Sequence, residues 1–226
     1  MNTAAIGRLI LDALAANPQA LVVLIGSNGA GKSTFYERNL ADSGLDFVNA
    51  DNIAKGLAGS VSAIYEGMSK DAMDRAEAMR QRYVAARRPF IMETVLSDPY
   101  GAKLDFMRDA KEKGYYLVVI HIRLDDPSIS VARVMERVEQ GGHDVPNDRL
   151  LSRFPRTARN AAVAVTIADL ALVFDNSVVG KSFQWIETWQ GGVRVDQDTF
   201  GFKPFPSRGG IVTNELIDAI RDEEGI

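Results

Sequence analysis

Short apolar runs alternate with amphipathic stretches along the first three quarters of the chain. The apolar runs are rich in branched and aromatic residues, as is typical of buried parallel strands, and lie at 20–25, 45–50, 90–92, 115–122 and 170–174. The stretches between them have helical spacing and lie at 32–40, 60–87, 99–113, 127–140 and 147–167. Strands that alternate with helices in this way predict an α/β fold, a parallel sheet wrapped by helices.

The two ends of the chain differ from this regular pattern. Near the N-terminus, Ile6, Leu9, Ile10 and Leu14 have helical spacing, and Asp12 interrupts the apolar run that a signal peptide would need. We therefore expect an amphipathic helix there. After residue 175, the segments 182–188 and 192–195 predict an antiparallel hairpin, followed by a Pro/Gly-rich loop at 200–210 and a short acidic helix.

Composition narrows the classes of protein to consider. Of the 226 residues, 46% are hydrophobic and 25% charged, and the net charge is −4. This acidic balance argues against general binding of nucleic acid or acidic membranes. The lack of cysteine excludes disulfides and a cysteine nucleophile. No apolar stretch approaches the roughly 18 residues of a membrane helix. We expect a cytoplasmic protein with neither nucleic acid nor membrane as a partner.

The strongest motif follows the first apolar run directly and precedes a helix. It satisfies G-x-x-x-x-G-K-[ST] with Gly26, Ser27, Asn28, Gly29, Ala30, Gly31, Lys32, Ser33 and Thr34. Such a loop points backbone N–H groups at phosphate oxygens, and the helix N-terminus adds its positive end. Lys32 is expected to reach the β- and γ-phosphates of ATP, and Ser33 to bind Mg²⁺. The alternative is a plain glycine turn.

Two acids are expected at the carboxyl edge of the sheet, where open α/β sheets bind ligands. Asp51 follows the second strand and could accept the proton of an attacking hydroxyl, or it could simply be a helix N-cap. Glu93 ends the third strand and could bind a substrate hydroxyl or a metal-bound water, or be a solvated loop acid. Acids in these places favour a small-molecule kinase.

An arginine-rich segment surrounds Gly141-Gly142-His143. The glycine pair predicts the hinge of a mobile lid that closes over the triphosphate and excludes water. Arg153 and Arg156 are three residues apart on one helical face, and we expect them to contact the transferring phosphoryl group. The alternative is a face of solvated arginines.

The turn after the fifth strand, Asp175-Asn176-Ser177, has two interpretations. An acid that follows an apolar strand suggests a magnesium aspartate. Because P-loop kinases usually wrap adenine at this late strand, we prefer a turn in which Asn176 contacts the purine.

Other P-loop classes lack support in the sequence. A transporter ATPase would need an L-S-G-G-Q-like signature and a Ras-like GTPase would need N-K-x-D, and the chain contains neither. A nucleotide-dependent binding module, in which ATP orders the lid for a protein partner, remains the alternative to a kinase.

An ordered set of motifs across residues 21–177 resembles the zeta-toxin family of P-loop kinases. The matching segments are GSNGAGKST, VNADNI, IMET, EKGYYLVVIHIRL and RVEQGGHDVPNDRLLSRFPRTARN. The resemblance implies phosphorylation of the 3′-hydroxyl of UDP-N-acetylglucosamine with ATP and Mg²⁺, and a small antitoxin partner that blocks the nucleotide site.

Carried over by position, the resemblance also implies roles for single residues. Asp51 would be the base, Lys32 and Ser33 the phosphate and Mg²⁺ groups, and Glu93 a substrate-binding acid. His143 stands near one of the two lid arginines that the family has, and Arg153 or Arg156 near the other. We expect residues 1–180 to form the P-loop kinase domain with its N-terminal helix, and 181–226 a hairpin and tail packed on the same domain.

Overall fold

The computed structural model describes residues 3–58, 66–142 and 144–195. The α-helices are α1 (Thr3–Ala16), α2 (Lys32–Asn39), α3 (Ala50–Ala58), α4 (Glu66–Ala85), α5 (Ala102–Glu112), α6 (Pro127–Glu139) and α7 (Asn147–Ile167), with a 3-10 helix at Ala41–Ser43. The strands are β1 (Ala20–Ile25), β2 (Asp46–Val48), β3 (Phe90–Thr94), β4 (Tyr116–Arg123), β5 (Leu170–Asp175), β6 (Gln184–Gln190) and β7 (Val193–Val195).

All seven strands form one sheet in the order β2-β3-β1-β4-β5-β6-β7. The first five run parallel, while β6 and β7 are antiparallel additions at one edge. The predicted α/β fold and the predicted hairpin are confirmed. Because the parallel strands share one direction, the residues that follow β1, β2 and β3 meet at the same edge of the sheet.

Each face of the sheet has its own hydrophobic core, since alternate side chains of a strand point to opposite faces. In β1, Leu21, Val23 and Ile25 pack with residues of α4, α5 and α7. Val22 and Leu24 pack with α1 and α2 on the other face. All six residues of β1 are buried, which explains the continuous apolar run in the sequence.

Local capping fixes the helix that crosses beside the phosphate loop. Asp126 caps α6 by accepting a 2.6 Å hydrogen bond from the backbone N–H of Ser128, and Pro127 occupies the first turn. At the other end, the N–H groups of Gly141 and Gly142 donate to the carbonyls of Val138 and Arg137. The glycine pair therefore closes the helix C-terminus.

The C-terminal hairpin continues the main sheet, since β6 pairs with β5 from residue 170 to residue 175. The domain division at residue 180 stays a prediction. The Pro/Gly-rich loop and the acidic helix that the sequence predicts lie outside the described residues. Within the described ranges, no helix is long and apolar enough to cross a membrane.

Candidate active site

A cleft of about 1660 Å³ opens at the carboxyl edge of the sheet. Its lining includes the phosphate loop and residues of α3, α4, α6 and α7. The loops that follow β3 and β5 also contribute residues to the lining. Pockets for one small ligand usually occupy 300–1,000 Å³. The cleft is therefore large enough for a nucleotide and a second molecule together.

Close packing explains two glycines of the phosphate loop. A Cβ atom at Gly26 would lie 2.3 Å from the carbonyl oxygen of Ile122. Gly31 has φ of 96°, and a Cβ atom there would lie 2.8 Å from Nδ2 of Asn176. Side chains at either position would push the loop away from the sheet, so the pattern read in the sequence has a direct steric basis.

Side chains from two distant segments support the phosphate loop from outside. Oγ of Ser130 donates to the carbonyl of Asn28 at 2.6 Å. Nη2 of Arg133 donates to the carbonyl of Asn176 at 2.7 Å, and Nδ2 of Asn176 donates to the carbonyl of Ala30 at 2.8 Å. These contacts hold the loop in shape beside the cleft. Sequence reasoning missed the roles of Ser130 and Arg133 as supports.

Lys32 is the first residue of α2 and is buried against the loop. Its Nζ donates to the carbonyls of Gly26 and Ser27, both at 3.0 Å. The same Nζ lies 3.5 Å from Oε1 of Glu93. The ammonium is therefore fixed at the loop, at the place where phosphate charge would be bound.

Glu93, at the end of β3, connects the phosphate loop to the start of α3. Its Oε2 accepts a hydrogen bond from Oγ of Ser33 at 3.4 Å and from Nδ2 of Asn49 at 2.6 Å. Strand β3 is the immediate neighbour of β1, so the carboxylate lies directly beside the phosphate loop. Glu93 is 12% exposed and its carboxylate contacts Lys32, Ser33 and Asn49, so the interpretation of it as a solvated loop acid is wrong.

Asp51 lies inside α3, in its first turn, and is exposed to the cleft. The cap of this helix is Asn49, whose Oδ1 accepts from the backbone N–H of Asn52 at 3.1 Å. The alternative interpretation of Asp51 as the N-cap is therefore wrong, because another residue occupies that position. The carboxylate of Asp51 is left facing the cleft.

Three arginines of α7 face the cleft: Arg149, Arg153 and Arg156. Burial lowers the pKa of the Arg153 guanidinium, and the charges of Arg149 and Arg156 lower it further. Three cations held together against their mutual repulsion form a site suited to an anion. Arg133 and Arg137 of α6 also line the cleft, whereas Arg159 is exposed and does not.

Helix α7 also fixes the loop that follows β3. Nε of Arg156 donates to the carbonyl of Ser97 at 3.0 Å. Nδ2 of Asn160 donates to the carbonyls of Leu96 and Asp98 at 2.9 and 3.0 Å. Leu96 has φ of 57°, a strained value that bulky residues keep only where the surroundings enforce it. The loop is therefore a rigid wall of the cleft.

The remaining sequence predictions for the site have mixed outcomes. His143 lies outside the described residues. Asn176 lines the cleft, but its side chain is engaged within the protein, since its Oδ1 also accepts from the N–H of Phe183 at 3.2 Å. The purine contact of Asn176 stays a prediction. Asp175 is not among the residues that line the cleft. Its Oδ1 accepts from the N–H of Ser177 at 2.7 Å, and its Oδ2 lies 4.0 Å from Nη2 of Arg123.

The residues present fit a magnesium ion bound together with a nucleotide. In the described part of the chain, no group of three or more His, Cys, Asp or Glu side chains could hold a metal by itself. Mg²⁺ in phosphoryl-transfer sites usually takes only one or two protein ligands, because substrate phosphates and waters complete its shell. The Ser33 hydroxyl beside the Glu93 carboxylate is a donor set of that kind.

Two relatives found by sequence match segments of very different length. An uncharacterized protein of Haemophilus influenzae is 29% identical over 129 residues, which cover 57% of this chain and 88% of the relative. The putative antitoxin VapB44 of Mycobacterium tuberculosis is 58% identical over 31 residues, which cover 13% of this chain and 39% of the antitoxin. The second similarity is local, and it spans about two fifths of the antitoxin.

Solved structures share the fold along nearly the whole chain. The AvrRxo1-ORF1:-ORF2 complex with ATP matches with a TM-score of 0.63 and 20% identity, over 97% of this chain and 75% of that one. The PezAT toxin-antitoxin system of Streptococcus pneumoniae matches with a TM-score of 0.52 and 13% identity, over 96% and 93%. At these identities the likeness establishes the P-loop kinase-like fold.

The phosphate loop, two of its supports (Ser130 and Arg133) and the acids Asp51 and Glu93 lie within a single match to a family model. That model, described as an AAA domain, matches residues 21–156, which is more than half of the chain. The chain therefore belongs to the AAA_33 family of AAA domains.

Proposed function

We propose that this protein is an ATP-dependent kinase that transfers the γ-phosphoryl group to a hydroxyl of a small molecule. The observation that carries the proposal is the position of Glu93. Its carboxylate contacts Lys32 and Ser33 on the phosphate side and Asn49, the cap of the helix that bears Asp51, on the other side. A protein that only binds a nucleotide has no need for this connection to a second acid.

Each residue has a distinct role in the proposed reaction. Lys32 and the loop N–H groups hold the β- and γ-phosphates, and Ser33 with Glu93 would hold Mg²⁺, which neutralises charge on the phosphates when bound. Asp51 accepts the proton of the attacking hydroxyl. Arg153 and Arg156 meet the charge that develops on the transferring phosphoryl group.

For the acceptor we propose a sugar nucleotide such as UDP-N-acetylglucosamine. The support is the resemblance of the motif set to zeta-toxin kinases, together with a cleft large enough for a nucleotide and a second molecule.

For a protein partner we propose an antitoxin. The fold is shared with a chain from the PezAT toxin-antitoxin system, and a 31-residue segment is similar to a putative antitoxin.

The rival proposal is a nucleotide-dependent binding module with slow turnover. Measuring ATP consumption by the full chain, with and without a pool of cell metabolites, separates the two. A kinase consumes ATP many times faster when its acceptor is supplied. Equal and slow consumption under both conditions would contradict the kinase and favour the binding module.

A further inference from the structure

A second charged cluster lies in the cleft wall, apart from the phosphate loop. It consists of Glu77 and Arg80 of α4 and Lys103 of α5, all of which line the cleft. Arg80 is only 6% exposed and donates from Nη2 to Oε2 of Glu77 at 2.7 Å. Lys103 pairs with the same oxygen. The cluster carries two positive charges and one negative charge.

The acid of this cluster is already saturated. Oε1 of Glu77 accepts from Gln81 at 3.1 Å, in addition to the two cations on Oε2. Burial alone raises the pKa of Glu77, but hydrogen bonds from Lys103, Arg80 and Gln81 outweigh it and lower the pKa to about 2. Glu77 thus stays ionised and serves the two cations.

The cations, in contrast, keep unused donors. Lysine has three N–H donors and arginine five. Among the described residues, Lys103 and Arg80 each donate only to Glu77, and the buried Nε of Arg80 has no acceptor. The side chain of Lys103 is 26% exposed, so its spare donors reach the cleft. These spare N–H donors are suited to bind a negatively charged ligand group with several oxygen atoms.

The cluster is also positioned for an acceptor and held rigidly. Helix α4 packs against α3, which carries Asp51. Oδ1 of Asp98 accepts from the N–H of Ala102 at 2.7 Å and so fixes the start of α5, one residue before Lys103. The loop that carries Asp98 is itself held by α7. Lys103 is thus presented from a fixed wall on the side of the cleft where Asp51 lies.

We propose that Lys103 and Arg80 bind an anionic group, phosphate or carboxylate, of the acceptor, and so select acidic metabolites over neutral ones. This inference rests on the proposed kinase function. It places the reacting hydroxyl near Asp51 and the charged end of the same molecule at the Lys103–Arg80 cluster. The triphosphate of ATP lies on the phosphate loop, with Lys32 at its β- and γ-phosphates.

A fractionated metabolite extract tests whether the acceptor carries an anionic group. An anion exchanger separates retained, acidic compounds from unretained ones. Each fraction is then incubated with the full chain, ATP and Mg²⁺, and mass spectrometry detects compounds that gain one phosphate. We expect the acceptor in the retained fraction. An acceptor in the unretained fraction would overturn the anionic subsite and leave the kinase standing, whereas transfer in neither fraction would overturn the kinase, and this inference with it.

Variants then test the residues. Lys103→Gln should raise the acceptor KM about 10- to 100-fold, the usual effect of a lost charged hydrogen bond, with the ATP KM unchanged. Lys103→Arg should restore most of the affinity. Lys113→Gln removes the same charge from the exposed end of α5 and serves as the matched control. An acceptor KM equal to that of the wild type in Lys103→Gln would overturn the assignment.

Treating the retained fraction with immobilised nucleotide pyrophosphatase and phosphatase, removed before ATP is added, identifies the anion. Loss of the acceptor identifies a phosphate, and its survival in the retained fraction identifies a carboxylate. Both lie within the proposal. Survival as a neutral compound that is still phosphorylated with wild-type KM would overturn it.

Discussion

Nδ2 of Asn49 donates a 2.6 Å hydrogen bond to Oε2 of Glu93, which joins the cap of α3 to the carboxylate beside the phosphate loop. The same carboxylate lies 3.5 Å from Nζ of Lys32 and accepts from Oγ of Ser33. Binding of ATP with Mg²⁺ engages Lys32 and Ser33 in the proposed mechanism. In that mechanism, Glu93 connects the residues that bind ATP and Mg²⁺ to the helix that bears Asp51.

The first prediction concerns the charge of Glu93. Glu93→Gln keeps a hydrogen-bond acceptor for Asn49 but removes the charge beside Ser33. We expect the Mg²⁺ concentration for half-maximal activity to rise about 10- to 100-fold, as for other residues that orient metal ligands. Titration of activity with Mg²⁺ measures this, with the exposed Glu112→Gln as control. An unchanged Mg²⁺ requirement would assign Glu93 to the acceptor instead.

The second prediction concerns Lys32. Lys32→Ala removes the fixed cation from the β- and γ-phosphates, and we expect ATP affinity and phosphoryl transfer to fall at least about 100-fold. Calorimetric titration with ATP and a steady-state assay measure the two effects, and Lys113→Ala controls for the loss of one surface charge. Wild-type affinity in Lys32→Ala would mean that the loop is only a turn.

The third prediction separates the arginines of α7. Arg153→Ala and Arg156→Ala should lower kcat more than they raise the ATP KM, because the charge that they meet grows in the transition state. Arg156 has a second role, since its Nε holds the carbonyl of Ser97. Arg156→Ala should therefore also raise the acceptor KM.

Arg159→Ala, on the same helix but outside the cleft, is the control for these variants. Equal changes in kcat and ATP KM would make Arg153 and Arg156 ground-state binders. No change in either parameter would show that the two arginines belong to a solvated helix face and have no role in the reaction.

The fourth prediction concerns pH and stability. Burial lowers the pKa of His121 on β4 to about 4, and the charge of Arg123 adds to the effect. Because the folded state favours neutral imidazole, the unfolded state binds more protons between pH 6.5 and about 4, and stability falls as the pH drops through this window. At pH 5 the loss from this residue is about 2 kcal/mol.

Urea unfolding at pH 7 and pH 5 tests the effect of His121. His121→Gln should lose less stability than the wild type between these two values. Glu77 does not interfere, because its lowered pKa removes stability only as the pH falls below its ordinary value of 4.5 toward about 2. An equal loss in wild type and variant would show that His121 does not set the acid sensitivity.

The sequence predicts the parts of this site whose signals are local. The phosphate loop can be predicted from the sequence because close packing requires its glycines, as at Gly26 and Gly31. Strand β1 can be predicted because it is buried on both faces and therefore forms a continuous apolar run in the sequence. These signals, together with the alternation of apolar runs and helical stretches, predict the α/β fold and the phosphate loop.

Contacts between segments that are distant along the chain could not be predicted from the sequence. Ser130 and Arg133 support the loop from about 100 residues away, and their partners meet only after β4 and β5 join β1. The sequence offers both Asp51 and Asn49 as caps of α3, and the structure shows that Asn49 accepts the N-cap hydrogen bond from Asn52, three residues on. Asparagine and aspartate cap equally well, so residue type alone did not distinguish them.

The most direct test of the central claim compares the wild type with Asp51→Asn on a metabolite extract supplied with ATP and Mg²⁺, using mass spectrometry to follow one added phosphate. Asp51 faces the cleft without capping its helix, so the variant should keep ATP binding and the fold. We expect the wild type to phosphorylate one compound and Asp51→Asn to do so about 10²- to 10⁴-fold more slowly, as for a lost general base. The exposed Asp105→Asn should match the wild type. No phosphorylated compound with the wild type, or equal rates for wild type and Asp51→Asn, would contradict the account.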